Sequence, residues 1–155
     1  EAEQLFYDKL DKHAILRLAT FYGPNMRTSL ATSIFIEALK NDEQISIHGT
    51  GLQTRCYTHV EDIASGIIAV MDSNKNGIYN ISSDEEMNVI DLIELIAGLM
   101  GKTANTVHVE DRFGQINKSK ISSEKLQSLG WKPKYDLKNA LKKTIIFYKK
   151  KSNLR

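Results

Sequence analysis

Two arginines in this chain have the type and setting to bind an anion. Arg55 follows the turn Gly49-Thr50-Gly51 and opens an extended run with Cys56 and Tyr57. A guanidinium placed there can grip a phosphate through two parallel N–H bonds. The alternative is an ion pair with Glu61, Asp62 or another carboxylate, and residue type alone favours that alternative. Arg112 stands in the loop Arg112-Phe113-Gly114-Gln115, beside Glu110 and Asp111. Two arginines from distant segments can clamp one pyrophosphate; the plainer reading of Arg112 is an exposed loop residue.

Other chemistry is less well served. Gly49-Thr50-Gly51 resembles the start of a dinucleotide fingerprint, but Thr54 occupies the third glycine position and the next residues read as a strand, not a helix. These glycines are expected only to bend the backbone. His48, Cys56 and His59 raise the question of a metal. Cys56 and His59 are three apart, so on one strand they point to opposite faces, and no metal is expected. His13 and His108 read as surface or cap residues. The sequence has no G-x-S-x-G elbow, no H-E-x-x-H and no P-loop.

The elements that must position these residues follow from periodicity and punctuation. Residues 1–12 read as a helix with Leu5, Phe6 and Leu10 on one side, and Ala14 to Ala19 as a buried strand interrupted by Arg17. Phe21 to Asn25 reads as a loop because Gly23 and Pro24 punctuate it. Thr28 to Leu39 is a predicted helix with Leu30, Ile34, Ala38 and Leu39 inward, ended by Asn41-Asp42-Glu43. Ile45 to His48 is a strand, and Arg55 to Val60 is extended. Asp62 to Met71 is a helix with Ile63, Ile67, Val70 and Met71 inward. Ile78 to Ile81 is a strand. Asn88 caps a helix striped by Val89, Leu92, Ile93, Ile96, Leu99 and Met100, with Gly101 at its C-terminal cap. Thr106 to Val109 is a strand. Ser122 or Ser123 opens a short helix ended by Gly130, and Asp136 caps the last one. Helices alternating with short strands define an α/β chain. The run at Ala14 to Ala19 calls for neighbours on both edges, and no βαβ ladder is evident for it, which points to further sequence upstream.

Composition sets the frame. The chain has 155 residues, 41% hydrophobic and 26% charged, as in ordinary globular domains. No apolar run approaches the ~18 residues of a membrane span, and no signal sequence is read. The first residues, Glu-Ala-Glu-Gln-Leu-Phe, read as mid-helix, so a fragment or trimmed product is expected. Cys56 is the single cysteine, which excludes an internal disulfide and fits a reducing cytoplasm. The net charge is +2 but uneven. Lys132 to Arg155 holds nine Lys or Arg against one Asp, +8 in all, leaving −6 for the rest. Such a tail can meet an anionic partner. Leu137, Leu141, Ile145 and Tyr148 give it an apolar stripe, so the favoured reading is a solvated helix face.

Four segments, in order, resemble one family. Ile15 to Pro24 resembles the R-L-x-N-x-Y-G-P segment of the extended short-chain dehydrogenases/reductases, the NAD-dependent nucleotide-sugar epimerases and dehydratases. Ile45 to Asp62 resembles their I-x-I-x-G-x-G-x-Q-x-R-x-x-x-x-V-x-D segment. Ile78 to Ser82 resembles G-x-x-Y-N-I-G, and Leu129 to Pro133 resembles L-G-W-x-P.

The resemblance implies an α/β fold: the C-terminal substrate-binding portion of such an enzyme, lacking most of the Rossmann domain. Residues 1–24 would be that domain's last helix and strand, and residues 25–155 mainly the nucleotide-sugar-binding domain. The Tyr-x-x-x-Lys pair and the cofactor glycines would lie upstream, with Glu3 matching a glutamate four residues after the lysine. The resemblance thus implies no catalytic residue in this chain, NAD as the cofactor of the longer protein, and a nucleotide-sugar substrate, with UDP as the expected nucleotide. It assigns Arg55 and Arg112 to the pyrophosphate, Ser46 and His48 to the flanks of the base, and Ser29 and Leu30 to the nucleotide at a helix start. Gln115 stands where an Asp often meets ribose hydroxyls, and Thr20 replaces an Asn near the sugar and diphosphate. The family chemistry oxidises a sugar carbon, usually C4, by hydride transfer to NAD, and members often dimerise through the helix ending at residues 1–12. A non-catalytic nucleotide-sugar-binding module and a nucleic-acid binder working through the Lys-rich tail are the alternatives.

Overall fold

The computed structural model describes residues 2–152. Glu1 and residues 153–155, including Arg155 of the basic tail, lie outside the described residues, as does the side chain of Phe6 from the expected first-helix stripe. Helix α1 (Ala2–Lys9) leads into strand β1 (Ala14–Leu18), which pairs in parallel with β5 (Gly77–Ile81), Leu16 facing Tyr79. The ladder that was not evident in the sequence is thus present on one edge of β1. The partner lies far along the sequence, beyond the crossover helix α3 (Val60–Ser73).

A second sheet centres on β4 (Thr54–His59). It pairs in parallel with β2 (Thr20–Tyr22), antiparallel with β6 (Glu86–Asn88), and in parallel with β8 (Lys118–Ser119). Strand β2 corrects the loop expected over Phe21 to Asn25. Tyr22 is fully buried and its pairing with His59 overrides the Gly23-Pro24 punctuation that follows. A third pair joins β3 (Ile45–His48) and β7 (Thr106–Val109) in parallel. Helices α2 (Ala31–Lys40), α4 (Val89–Met100), α5 (Glu124–Gln127) and α6 (Leu137–Ser152) complete the order.

Two apolar clusters hold these pieces. One joins α2, β3, α4 and α6 through Phe35, Ile36, Leu39, Ile47, Leu92, Ile96, Leu141 and Ile145. The other joins α3, β5 and the segment around α5 through Ile63, Val70, Tyr79, Ile81, Leu126 and Trp131. Gly66 is needed at the second: a Cβ there would stand 2.8 Å from Ile81 Cγ2, so the helix can approach the strand only without a side chain. Two expected inward faces are corrected. Ile34 is exposed while Phe35 and Ile36 fill the core, and Met71 is exposed near the end of α3.

The predicted caps form. Asn88 Oδ1 accepts from Asp91 N at 2.8 Å, Gly101 closes α4 at φ +68°, and Asp136 Oδ1 accepts from Asn139 N at 2.9 Å. Asp62, almost wholly buried, accepts backbone N–H bonds from Lys134 at 2.8 Å and Tyr135 at 3.2 Å. Those two bonds fasten the connection into α6 onto α3.

Candidate functional site

A cavity of about 670 Å³ opens between the N-terminal end of α2, strand β3, strand β4 and the loop after β7. That volume suits a small-molecule site. Its walls include all eight residues singled out from the sequence: Thr20, Ser29, Leu30, Ser46, His48, Arg55, Arg112 and Gln115. The fold thus gathers segments that are far apart in the chain.

Arg55 sits on β4 and is half-buried. Its Nη1 donates to the carbonyl of Thr54 at 2.7 Å, and among the described residues it forms no ion pair. The carboxylates that were the alternative partners are engaged elsewhere. Glu61 accepts from Tyr135 Oη, and Asp62 accepts from two backbone amides. Arg112 is exposed on the cavity rim, its backbone N–H donating to Asp111 Oδ1 at 2.8 Å. Gln115 N returns to Arg112 O at 3.2 Å and tightens the loop.

Helix α2 begins at Ala31, so Leu30 is its N-cap, and no side chain caps it. The first backbone N–H groups of a helix have no intrahelical partner and carry the positive end of its dipole. Ser29, Leu30, Ala31 and Thr32 all line the cavity. Two guanidiniums and an uncapped helix N-terminus therefore face one space, an arrangement suited to phosphate groups. Glu37 and Glu43 also line it; Glu37 is held by an ion pair with Lys40, and Glu43 accepts from Asn41 Nδ2 at 3.4 Å.

Two wall residues escaped sequence reasoning. Tyr57 is 4% exposed and lines the cavity. Burial pushes its pKa up to about 12, with Arg55 pulling it back down, so the hydroxyl keeps its proton and can donate. Its spacing of two from Arg55 on a strand puts both on one face, and that signal was available. Gln53 Nε2 donates to His48 O at 3.1 Å and props the turn from inside.

Of the other histidines, His59 is the N-cap of α3, its Nδ1 accepting from Glu61 N at 3.4 Å, and its ring lies between Tyr22 and Tyr135. Burial lowers its pKa, against the pull of Glu61 and Asp62. No cluster of metal-ligating side chains occurs among the described residues. No helix among them is long and apolar enough to cross a membrane.

The fold and the cavity define an α/β protein in which two arginines and a helix N-terminus line one space. The sequence model of the NAD dependent epimerase/dehydratase family matches residues 9–82, just under half of the chain, and the chain is similar to that family over this stretch. It is 35% identical to the dTDP-D-glucose 4,6-dehydratase of Bos taurus, over 87% of this chain and 40% of that protein. A UDP-glucose 4-epimerase of Thermotoga maritima, crystallised with UDP-glucose, superposes with a TM-score of 0.88 at 27% identity, covering 97% of this chain and 50% of that one. The dTDP-glucose 4,6-dehydratase of Bacillus anthracis, in complex with NAD, superposes with a TM-score of 0.84 at 26% identity, over 90% of this chain and 45% of that one. The chain thus spans about half the length, or less, of these relatives.

Proposed function

We propose that this chain is the substrate-binding part of an NAD-dependent nucleotide-sugar epimerase or dehydratase. One observation carries the reading: Arg55 and Arg112 line the same cavity as the uncapped N-terminus of α2, and Arg55 is not neutralised by any carboxylate among the described residues. In this reading the two guanidiniums and the helix amides hold the diphosphate, Ser46 and His48 flank the base, and Tyr57, Thr20 and Gln115 offer hydrogen bonds towards ribose and sugar. UDP is the nucleotide proposed, as in the UDP-glucose-bound relative.

NAD would accept and return the hydride at sugar C4 in the whole protein. These 155 residues contain neither Gly-x-x-Gly-x-x-Gly nor Tyr-x-x-x-Lys, and no hydride or proton step is assigned to them. Their contribution is positional. Binding energy at the remote diphosphate fixes the sugar for the reacting groups, which converts affinity into rate. The division of the chain near residue 24, a homodimer through α1 and a cytoplasmic location belong to the same proposal. Exposed Leu5 and Leu10 on and beside α1 support the second, and the unpaired Cys56 supports the third.

Calorimetric titration of the chain with UDP tests the reading. Saturable binding that weakens when either arginine is replaced is the expected result. Absence of UDP binding by the folded chain, or equal affinity after both replacements, overturns it.

A further inference from the structure

The loop that carries Arg112 is held by two histidines acting reciprocally across the β3–β7 pair. In the parallel register Ile47 faces His108 and His48 faces Val109. Alternation therefore puts His48 and His108 on opposite faces of the ladder. Each reaches past the end of the partner strand. His48 Nδ1 donates to the carbonyl of Glu110 at 3.1 Å, and His108 Nδ1 donates to the carbonyl of Gly49 at 2.8 Å. His48 lines the arginine cavity, whereas His108 lines a separate cavity of about 360 Å³ against α4.

These bonds lie where the ladder ends. Gly49 N donates to Val109 O at 3.0 Å, and chain-to-chain backbone pairing resumes only where Thr54 N meets Asn117 O at 2.9 Å. Between those points the backbone runs from Gly49 to Thr54, next to Arg55, on one side and from Glu110 past Arg112 and Gln115 to Asn117 on the other. Asp111 closes the gap. A Cβ on Gly49 would stand 2.7 Å from Asp111 Cγ, so the carboxylate occupies the space that the glycine leaves.

We propose that His108, which lies outside the arginine cavity, is a positioning residue for Arg112: together with His48 it clamps the two strand exits and so sets the spacing of the two guanidiniums. The inference rests on the diphosphate reading of the cavity. A fixed spacing matters for a ligand that engages both arginines and matters little for one that engages only one. UDP affinity therefore depends on His108 more than UMP affinity does.

The test is calorimetry of the full chain with UDP and with UMP, for the unmodified protein, His108→Leu, His108→Asn, Arg112→Ala and the His108→Leu/Arg112→Ala pair. His108→Leu is expected to weaken UDP about tenfold, within the range of coupled neighbours, and to leave UMP within about twofold. His108→Asn, whose amide can donate from nearly the same place, restores UDP binding. In the Arg112→Ala background His108→Leu has no further effect. Equal loss in both backgrounds, or parallel loss for UDP and UMP, overturns the proposal and leaves His108 a residue of general stability. Amide hydrogen exchange without ligand separates the clamp from the nucleotide reading. His108→Leu should speed exchange over residues 110–115, and unchanged exchange there overturns the clamp whether or not UDP binds. Faster exchange in a chain that does not bind UDP overturns the diphosphate reading, and the spacing role with it.

Discussion

Arg55 gives one of its guanidinium nitrogens to the carbonyl of its own neighbour, Thr54, at 2.7 Å, and forms no ion pair among the described residues. That bond fixes the side chain without neutralising it. The remaining N–H groups are left for a ligand in the cavity that Arg55 lines.

Replacing Arg55 by Ala removes a charge-assisted contact and no internal ion pair. UDP affinity should fall by about 1.5–3 kcal/mol, or roughly 10- to 150-fold in Kd, while the thermal midpoint stays nearly constant. Calorimetry and a melting curve on the same sample check both halves. A large fall in the midpoint with unchanged affinity would make Arg55 a structural residue.

Gly49 has φ +67°, and the space a side chain would need is filled by Asp111. Gly49→Ala therefore meets two costs, the left-handed backbone at about 1–2 kcal/mol and the contact with the carboxylate. Urea denaturation should show a loss of about 2 kcal/mol or more. Adding Asp111→Ala should recover only the part due to the contact. UDP affinity should fall as well, because the displaced segment leads to Arg112.

The pH dependence of stability is set in part by His59. Its neutral ring accepts the Glu61 N–H at the start of α3, and burial holds its pKa below the ordinary 6.5. The unfolded chain takes up the proton first as pH falls. Stability from this group is thus fully present above about pH 6.5 and is lost as pH drops from there towards the lowered folded value. Melting curves at pH 7.5 and 5.5 should differ more for the unmodified chain than for His59→Asn, which keeps a capping oxygen but does not titrate. Equal differences would remove His59 from the acid response.

Much of this was legible in the residues. Asn88 with Gly101 and Asp136 before Leu137 announce helix ends because capping chemistry is local. Arg55 and Arg112 were legible from residue type and setting, while Thr20, Ser29, Leu30, Ser46, His48 and Gln115 came from the family resemblance alone; all eight are among the residues that line the arginine cavity. Strands β6 and β8, three and two residues long, were not. They exist because β4 lies beside them, and nothing in Glu86 to Asn88 or in Lys118-Ser119 encodes that neighbour. The misjudged face of α2 has a related cause. Ile34, Phe35 and Ile36 are consecutive apolar residues, so periodicity cannot choose among them. Ile34 is exposed and is among the residues that line the open cavity. The hydroxyl network also lay beyond pattern reading. Ser83 N donates to Thr58 Oγ1 at 2.9 Å and Ser123 Oγ to Ser82 O at 2.9 Å, contacts between segments with no shared periodicity.

Asp62 offers a test of how the two apolar clusters are joined. Its carboxylate is 1% exposed and accepts two backbone amides from the segment that leads into α6. Trp131 lies just before that segment, and its Nε1 donates to Ser65 Oγ on α3 at 2.9 Å. Asp62→Ala leaves both amides without their acceptors and should cost about 2–4 kcal/mol. Asp62→Asn keeps one acceptor oxygen and should cost about half as much. Trp131 is the single tryptophan and is buried, so its emission reports on this junction alone. If Asp62 fastens the junction, emission in the Ala variant shifts to the red in urea before far-UV circular dichroism changes, and the two curves coincide in the unmodified chain. Coincident curves in the variant would mean that apolar contacts of Trp131 and Leu126, not the carboxylate, hold α6 to α3.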